Sequence, residues 1–459
     1  MFDTIIKNGK VVTPDAEFFA DVGIRDGKIV CIAQNLEGAD KIIDASGKLV
    51  MPGGIDIHTH LDTPLNGSVT LDDWYWGTVS AACGGVTCVV DYPKQEVGHS
   101  VRDIIEKWKG KAGGKAVIDY SFSPVITEYT EEMYQEIPKL IEEGFPGYKV
   151  FMAYWHRIPD DQLIRMMDVV SSNGGILGIH CENDWAADYL IKKLLDEGKT
   201  EPKYFPQSRP ALIEEEASER AIALANIVDA NILIVHMSAK GAIEAARKAR
   251  AVKKNIVVET CDHFIALDES VYDQPLEEAC KYVVTPPIRG KEHIDAVWNG
   301  LINGDIDLVS SDHCAFPYAD KVRLGRENFS TIPHGAPAIE TRLPIVFSEG
   351  VSKGRISASR FVQLVSANPA KIAGVYPNKG TMAVGSDADI CLIDPEKEVT
   401  ISGNMLHTKC DFCPYEGIKV KGYPVMTMSR GDVIFKDGEF VGERGRGRLV
   451  WRDKFKRLT

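Results

Sequence analysis

Apolar and polar positions alternate in short runs over the first fifty residues, and the runs break at Asn-Gly in TIIKNGKVV and Asp-Gly in VGIRDGKIVCIA. Period-two runs joined by such pairs predict β-hairpins, because both turn residues tolerate the positive φ of a two-residue loop. The C-terminal segment repeats this style in GSDADICLIDP, EVTIS and VMTMSRGDVIFKDGEFVG. Neither segment alone supplies enough strands to bury a core. The pattern therefore predicts that residues 1–50 and 375–459 pair into one small β-sandwich domain.

Residues 51–374 follow a different rhythm. Short apolar runs (KLVMPGGIDI, GVTCVVDY, VIDYSFSP, GYKVFMAY, GGILGIHC, NILIVHMS, NIVVETC, IDLVSSDH) alternate with helical patterns such as SVRDIIEKWKGKAGG, PDDQLIRMMDVVSSNG and GAIEAARKARAV. Strict β/α alternation predicts parallel strands with helical crossovers. About eight units, with no G-x-G-x-x-G after a strand, favour a closed (β/α)8 barrel over an open sheet. The expected class is α/β: a TIM-like barrel over 51–374 and a small β-sandwich formed by both termini.

Composition narrows the function. The 459 residues are 44% hydrophobic and 26% charged, with a formal net charge of −13. That excess of acid disfavours nucleic acid or an anionic membrane surface as the main partner. No apolar run reaches the roughly 18 residues of a membrane span, and the N-terminus lacks a signal-peptide core, so a cytoplasmic protein is expected. The ten cysteines lie largely in apolar runs, as free thiols do in a reducing compartment. The close pair Cys410 and Cys413 reads as two free thiols rather than half of a zinc or redox site. The basic tail GRGRLVWRDKFKRLT carries Leu449, Val450, Trp451 and Phe455, which need burial; it is expected to be an arm packing on a neighbouring subunit.

The chemistry gathers at strand ends, where active sites of this barrel lie. GGIDIHTHLD places His58 and His60 two apart, on one face of a strand. GYKVFMAY carries Lys149, GGILGIHC ends near His180, NILIVHMS near His236 and IDLVSSDH at Asp312. Singly, each has an ordinary structural explanation: a hydrogen-bonded histidine, a lysine reaching solvent, an aspartate capping a helix. Jointly they compose a nitrogen/oxygen site suited to Zn2+ or a similar divalent ion. Four histidines exceed one catalytic ion's needs, so two ions are expected. A cationic lysine among metals is repulsive. Carboxylated by CO2, Lys149 becomes an anionic carbamate (N6-carboxylysine) able to bridge both ions.

With GGIDIHTHLD, GYKVFMAY, GIHCEN, IVHMS, TPPIR, SSDH, ANPAKIAG and GSDADI in this order from end to end, the chain resembles the cyclic amidohydrolases, in the dihydropyrimidinase/D-hydantoinase branch. The resemblance implies a binuclear zinc barrel, commonly homotetrameric, with His58, His60, carboxylated Lys149, His180, His236 and Asp312 as ligands. It implies Tyr154 as the phenol supporting the oxyanion and Asp312 as the group moving the proton to the leaving nitrogen. A neutral dihydropyrimidine or 5-substituted hydantoin would open to an N-carbamoyl amino acid. Asp62 stands where related dihydroorotases bind the substrate carboxylate through Arg, which disfavours an anionic ring. Thr285 and His334 stand where this branch grips the ring amide through main-chain groups. ETCDHFIALDES, with Asp262 and His263, and YWHRIPDD after Tyr154 depart from the branch pattern. The competing expectations are another neutral cyclic ureide such as an allantoin-like ring, a mononuclear zinc deaminase, and a non-catalytic dihydropyrimidinase-related scaffold.

Overall fold

The computed structural model describes residues 1–65, 68–252 and 255–458. Eight parallel strands form the central element: β1 Gly54–Thr59, β2 Val86–Asp91, β3 Asp119–Phe122, β4 Gly147–Phe151, β5 Ile176–His180, β6 Ile232–Ile234, β7 Ile256–Cys261 and β8 Leu308–Ser310. Regular ladders join β3-β2-β1 and β4-β5-β6-β7-β8. Single bridges span the two seams, Val125 with Lys149 and Thr59 with His313. The chain is thus a TIM barrel, with helices such as Val101–Ala112, Asp160–Ser172 and Lys240–Arg250 as crossovers. Ser100 and Asp103 form a reciprocal capping box at the first of these.

Two further sheets lie outside the barrel. One holds four strands within residues 2–44; the other combines Lys10–Val12, Glu17–Phe19 and Leu49–Pro52 with four strands from Ile390–Thr400 onward. Their facing side chains, among them Ile6, Val22, Ile29, Val50, Ile390 and Met428, form a separate apolar cluster.

Three local expectations change. The Asp26-Gly27 pair does turn a hairpin, with φ of 52° and 72°. The Asn8-Gly9 pair does not, since Phe2–Lys7 and Lys10–Val12 belong to different sheets. Its turn signal is local, whereas the sheet each strand joins is set by distant partners. KLVMPGGIDI is also two strands: Leu49–Pro52 pairs outside the barrel, and Gly54–Thr59 is β1. The break falls at Gly53, where a Cβ would lie 2.3 Å from the Thr87 side chain.

The C-terminal arm is the third. It runs beneath its own barrel, with Val450 N–H donating to Tyr120 (2.8 Å), Arg452 N–H to Gly144 (3.2 Å) and Phe455 N–H to Gly174 (2.8 Å). Phe455, with Val450 and Leu458, packs on the lower barrel interior of Ile55, Cys88, Ile176 and Leu233. Of the apolar side chains of the tail, Phe455 is covered within the same chain, whereas Trp451 stays 58% exposed.

Candidate active site

His58 lies within β1 and His60 just beyond it, both buried. Their Nε2 atoms lie 3.1 and 3.3 Å from Asp312 Oδ1. These three ligand groups fall within 4.8 Å of one another. His236 stacks near His58 (centroids 5.5 Å) and meets the His180 ring edge-on at 4.5 Å. Lys149 is 1% exposed, its Nζ 2.6 Å from His58 Nε2 and 4.3 Å from the Tyr92 ring centroid. The six residues predicted from strand ends therefore converge on one spot. Lys149 bridges one seam, and His60 and Asp312 flank the Thr59–His313 bridge of the other.

The donor set fits divalent metal. Burial pushes the His60 imidazole down to about 4 and His236 well below its ordinary value, so both are neutral at pH 7, the metal-binding form. His236 Nδ1 is buried without a hydrogen-bond partner. Burial opposes the charged form of Asp312, but His58 beside it and the hydrogen bond from His60 hold the carboxyl well below its usual range. Burial likewise lowers Lys149 from its ordinary value, and the uncharged amine is the form that adds CO2.

Outer partners orient these ligands. Glu259 Oε1 lies 2.8 Å from His58 Nδ1, leaving Nε2 free to face the site. Glu182 Oε2 lies 2.7 Å from His180 Nε2 and accepts from Arg209 at 3.2 Å. Burial would raise Glu182, but Arg209 and then His180 bring it down to about 2. Sequence reasoning missed all three. The available signal was charge inside apolar strand runs, Glu259 in IVVETC and Glu182 in GIHCEN.

Backbone strain concentrates here. Tyr154, His236 and Asp312 hold φ of 68°, 39° and 48°, a region unfavourable to non-glycine residues. Tyr154 lines the cavity, 5.4 Å from the His180 ring, and burial raises its phenol so that it stays protonated. Thr285 Oγ1 lies 2.6 Å from His334 Nδ1, and both line the same cavity. Asp62 does not join them. Its carboxylate lies 3.6 Å from Lys111 Nζ, and Lys111 also donates to its carbonyl. Asp262 and His263 do not line the cavity either: Asp262 accepts from the Tyr415 hydroxyl at 2.7 Å and burial raises it to about 8. All ten cysteines are free.

The amidohydrolase family model matches residues 49–434. The chain is similar to a D-hydantoinase of Ralstonia pickettii, 44% identical over 99% of this chain and 100% of that one. A D-hydantoinase of Rhizobium radiobacter gives the same identity and coverage. Among solved structures, a dihydropyrimidinase from Brevibacillus agri superposes with a TM-score of 0.97 at 42% identity, covering 99% of this chain and 100% of the other.

Proposed function

The chain belongs to the amidohydrolase family as a cyclic amide hydrolase, and from that premise we propose that it opens 5-substituted hydantoin or dihydropyrimidine rings to N-carbamoyl amino acids. The observation carrying this reading is the convergence of Asp312 with His58 and His60 beside a buried Lys149, in a cavity that Tyr154 also lines.

His58, His60 and Asp312 would hold one divalent ion and His180 and His236 a second, with Lys149, carboxylated by CO2, between them; zinc suits these ligands. Bound there, such ions supply an acidified water and polarisation of the ring carbonyl. Tyr154 donates its phenolic hydrogen to the carbonyl oxygen as negative charge grows there. Asp312, ionised at neutral pH, accepts a proton from the attacking water and passes it to the ring nitrogen as the C–N bond breaks. Main-chain groups at Thr285 and His334 orient the ring amide. We read the enzyme as cytoplasmic and homotetrameric, as the family resemblance suggests, with residues 1–50 and 375–459 forming one domain and 51–374 the catalytic one.

The test is ring opening of dihydrouracil against 5-phenylhydantoin by enzyme reconstituted with zinc and bicarbonate, with metal counted by elemental analysis. Turnover of either ring, abolished by a chelator, is expected. Two bound metals with neither ring opened would refute this substrate assignment.

A further inference from the structure

Part of the cavity wall carries polar groups with no partners. His156 is 7% exposed and lines the cavity, yet neither ring nitrogen has a hydrogen-bond partner among the described residues. Phe151 and Tyr154 pack on its ring at 5.0 and 6.0 Å, which fixes its place. Lys94 lines the same cavity, half-buried, with its ammonium 5.2 Å from the Trp155 ring centroid. Among the described residues no carboxylate lies within ion-pair distance of it, whereas Arg250, Arg289 and Lys379 each have one. Burial lowers Lys94 from its ordinary value and, with Lys94 adding to the effect, brings His156 down to about 3.

Among the described residues, the sole carboxylate lining the cavity is Asp312, within the candidate metal-ligand cluster. Asp62, the sequence feature that disfavoured an anionic substrate, is turned toward Lys111 instead. A buried imidazole with no partner costs stability unless a group entering the cavity answers it, and the half-buried Lys94 ammonium beside it has no carboxylate of its own among the described residues. Such a group must accept hydrogen bonds and carry negative charge.

We propose that Lys94 and His156 form a specificity subsite for a carboxylate-bearing substituent on the substrate ring, Lys94 supplying charge and His156 a hydrogen bond. The subsite deepens the cyclic-amide reading and rests on it. The favoured substrates are hydantoins or dihydropyrimidines derived from acidic amino acids, and the products are N-carbamoyl derivatives of those acids.

The test compares 5-(2-carboxyethyl)hydantoin with its carboxamide, which matches it in shape and lacks the charge, using the metal-loaded enzyme. Binding of the two corresponding products, N-carbamoylglutamate and N-carbamoylglutamine, is measured in parallel by titration calorimetry. Wild type should favour the acid by at least about tenfold in kcat/KM and in affinity, the worth of one charge-assisted hydrogen bond. Lys94→Gln should bring both ratios close to one, Lys94→Arg should keep most of the preference, and His156→Phe should reduce it. Equal treatment of acid and amide by wild type, or a preference that survives Lys94→Gln, would overturn the proposal. Failure to open either ring would count against the proposed function, while product binding would still decide the subsite.

Discussion

The two ends of the barrel use the same eight strands in opposite ways. At the C-terminal ends, Tyr154, His236 and Asp312 hold left-handed backbone, and imidazoles, an amine and a carboxylate are buried together. Toward the N-terminal ends, Ile55, Cys88, Ile176 and Leu233 pack into an apolar cluster, and the C-terminal arm lies against it with its backbone hydrogen-bonded to Tyr120, Gly144 and Gly174. One end holds polar groups and strain that only a bound metal or substrate can answer. The other is apolar and packed by its own chain, and it anchors the fold. The lesson is that a packed apolar floor lets the upper rim remain strained without unfolding.

Lys149→Ala would break the comparison most sharply. With both charge and bridging capacity removed, kcat should fall by about a thousandfold or more, consistent with several kcal/mol of metal-assisted stabilisation. Bound metal should fall in elemental analysis, while the thermal unfolding midpoint of metal-free protein should hold or rise, because a buried amine has been removed. A sharp loss of metal-free stability would show that Lys149 serves the fold instead.

Glu259→Gln probes the layer between chemistry and scaffold. The amide still accepts from His58 Nδ1 but no longer charges the contact, so metal affinity should drop by about 10- to 100-fold. Competition with a fluorescent chelator reads this directly, and unchanged affinity would mean that Glu259 does not orient His58.

Removing residues 448–459 addresses the lower end and should have the smallest effect on chemistry. Loss of the Phe455 and Val450 packing should cost about 3–6 kcal/mol of stability, at roughly 1.5–3 kcal/mol per buried apolar side chain. Activity per folded molecule should stay close to that of the full chain below the lowered unfolding midpoint. Intact stability with a dissociated oligomer would instead assign the arm to a neighbouring subunit.

Much of the candidate site was legible because its residue types contradict their surroundings. His58, Lys149, His180 and His236 interrupt or end apolar strand runs, and burying such groups is costly unless chemistry requires it. Glu259 and Glu182 carried the same signal but had no spacing rule to single them out. Asp62 differs: its place in the motif was legible, but the pairing of its side chain with Lys111, at a backbone φ of 51°, was not. His156 and Lys94 sit on irregular segments, where no periodicity says which way a side chain faces.

The sequence by itself determined the alternation of strands and helices, the strand ends that bear the ligands, and the hairpin at Asp26-Gly27. All of these depend on local periodicity or on the φ that a few residues can adopt. Only the tertiary structure decided that Asn8-Gly9 passes the chain between two sheets, that Gly53 divides one apolar run into strands of different sheets, and that the C-terminal arm closes its own barrel. Each of those outcomes is set by partners far away in the chain, and the apolar pattern that demands burial is the same whichever surface provides it.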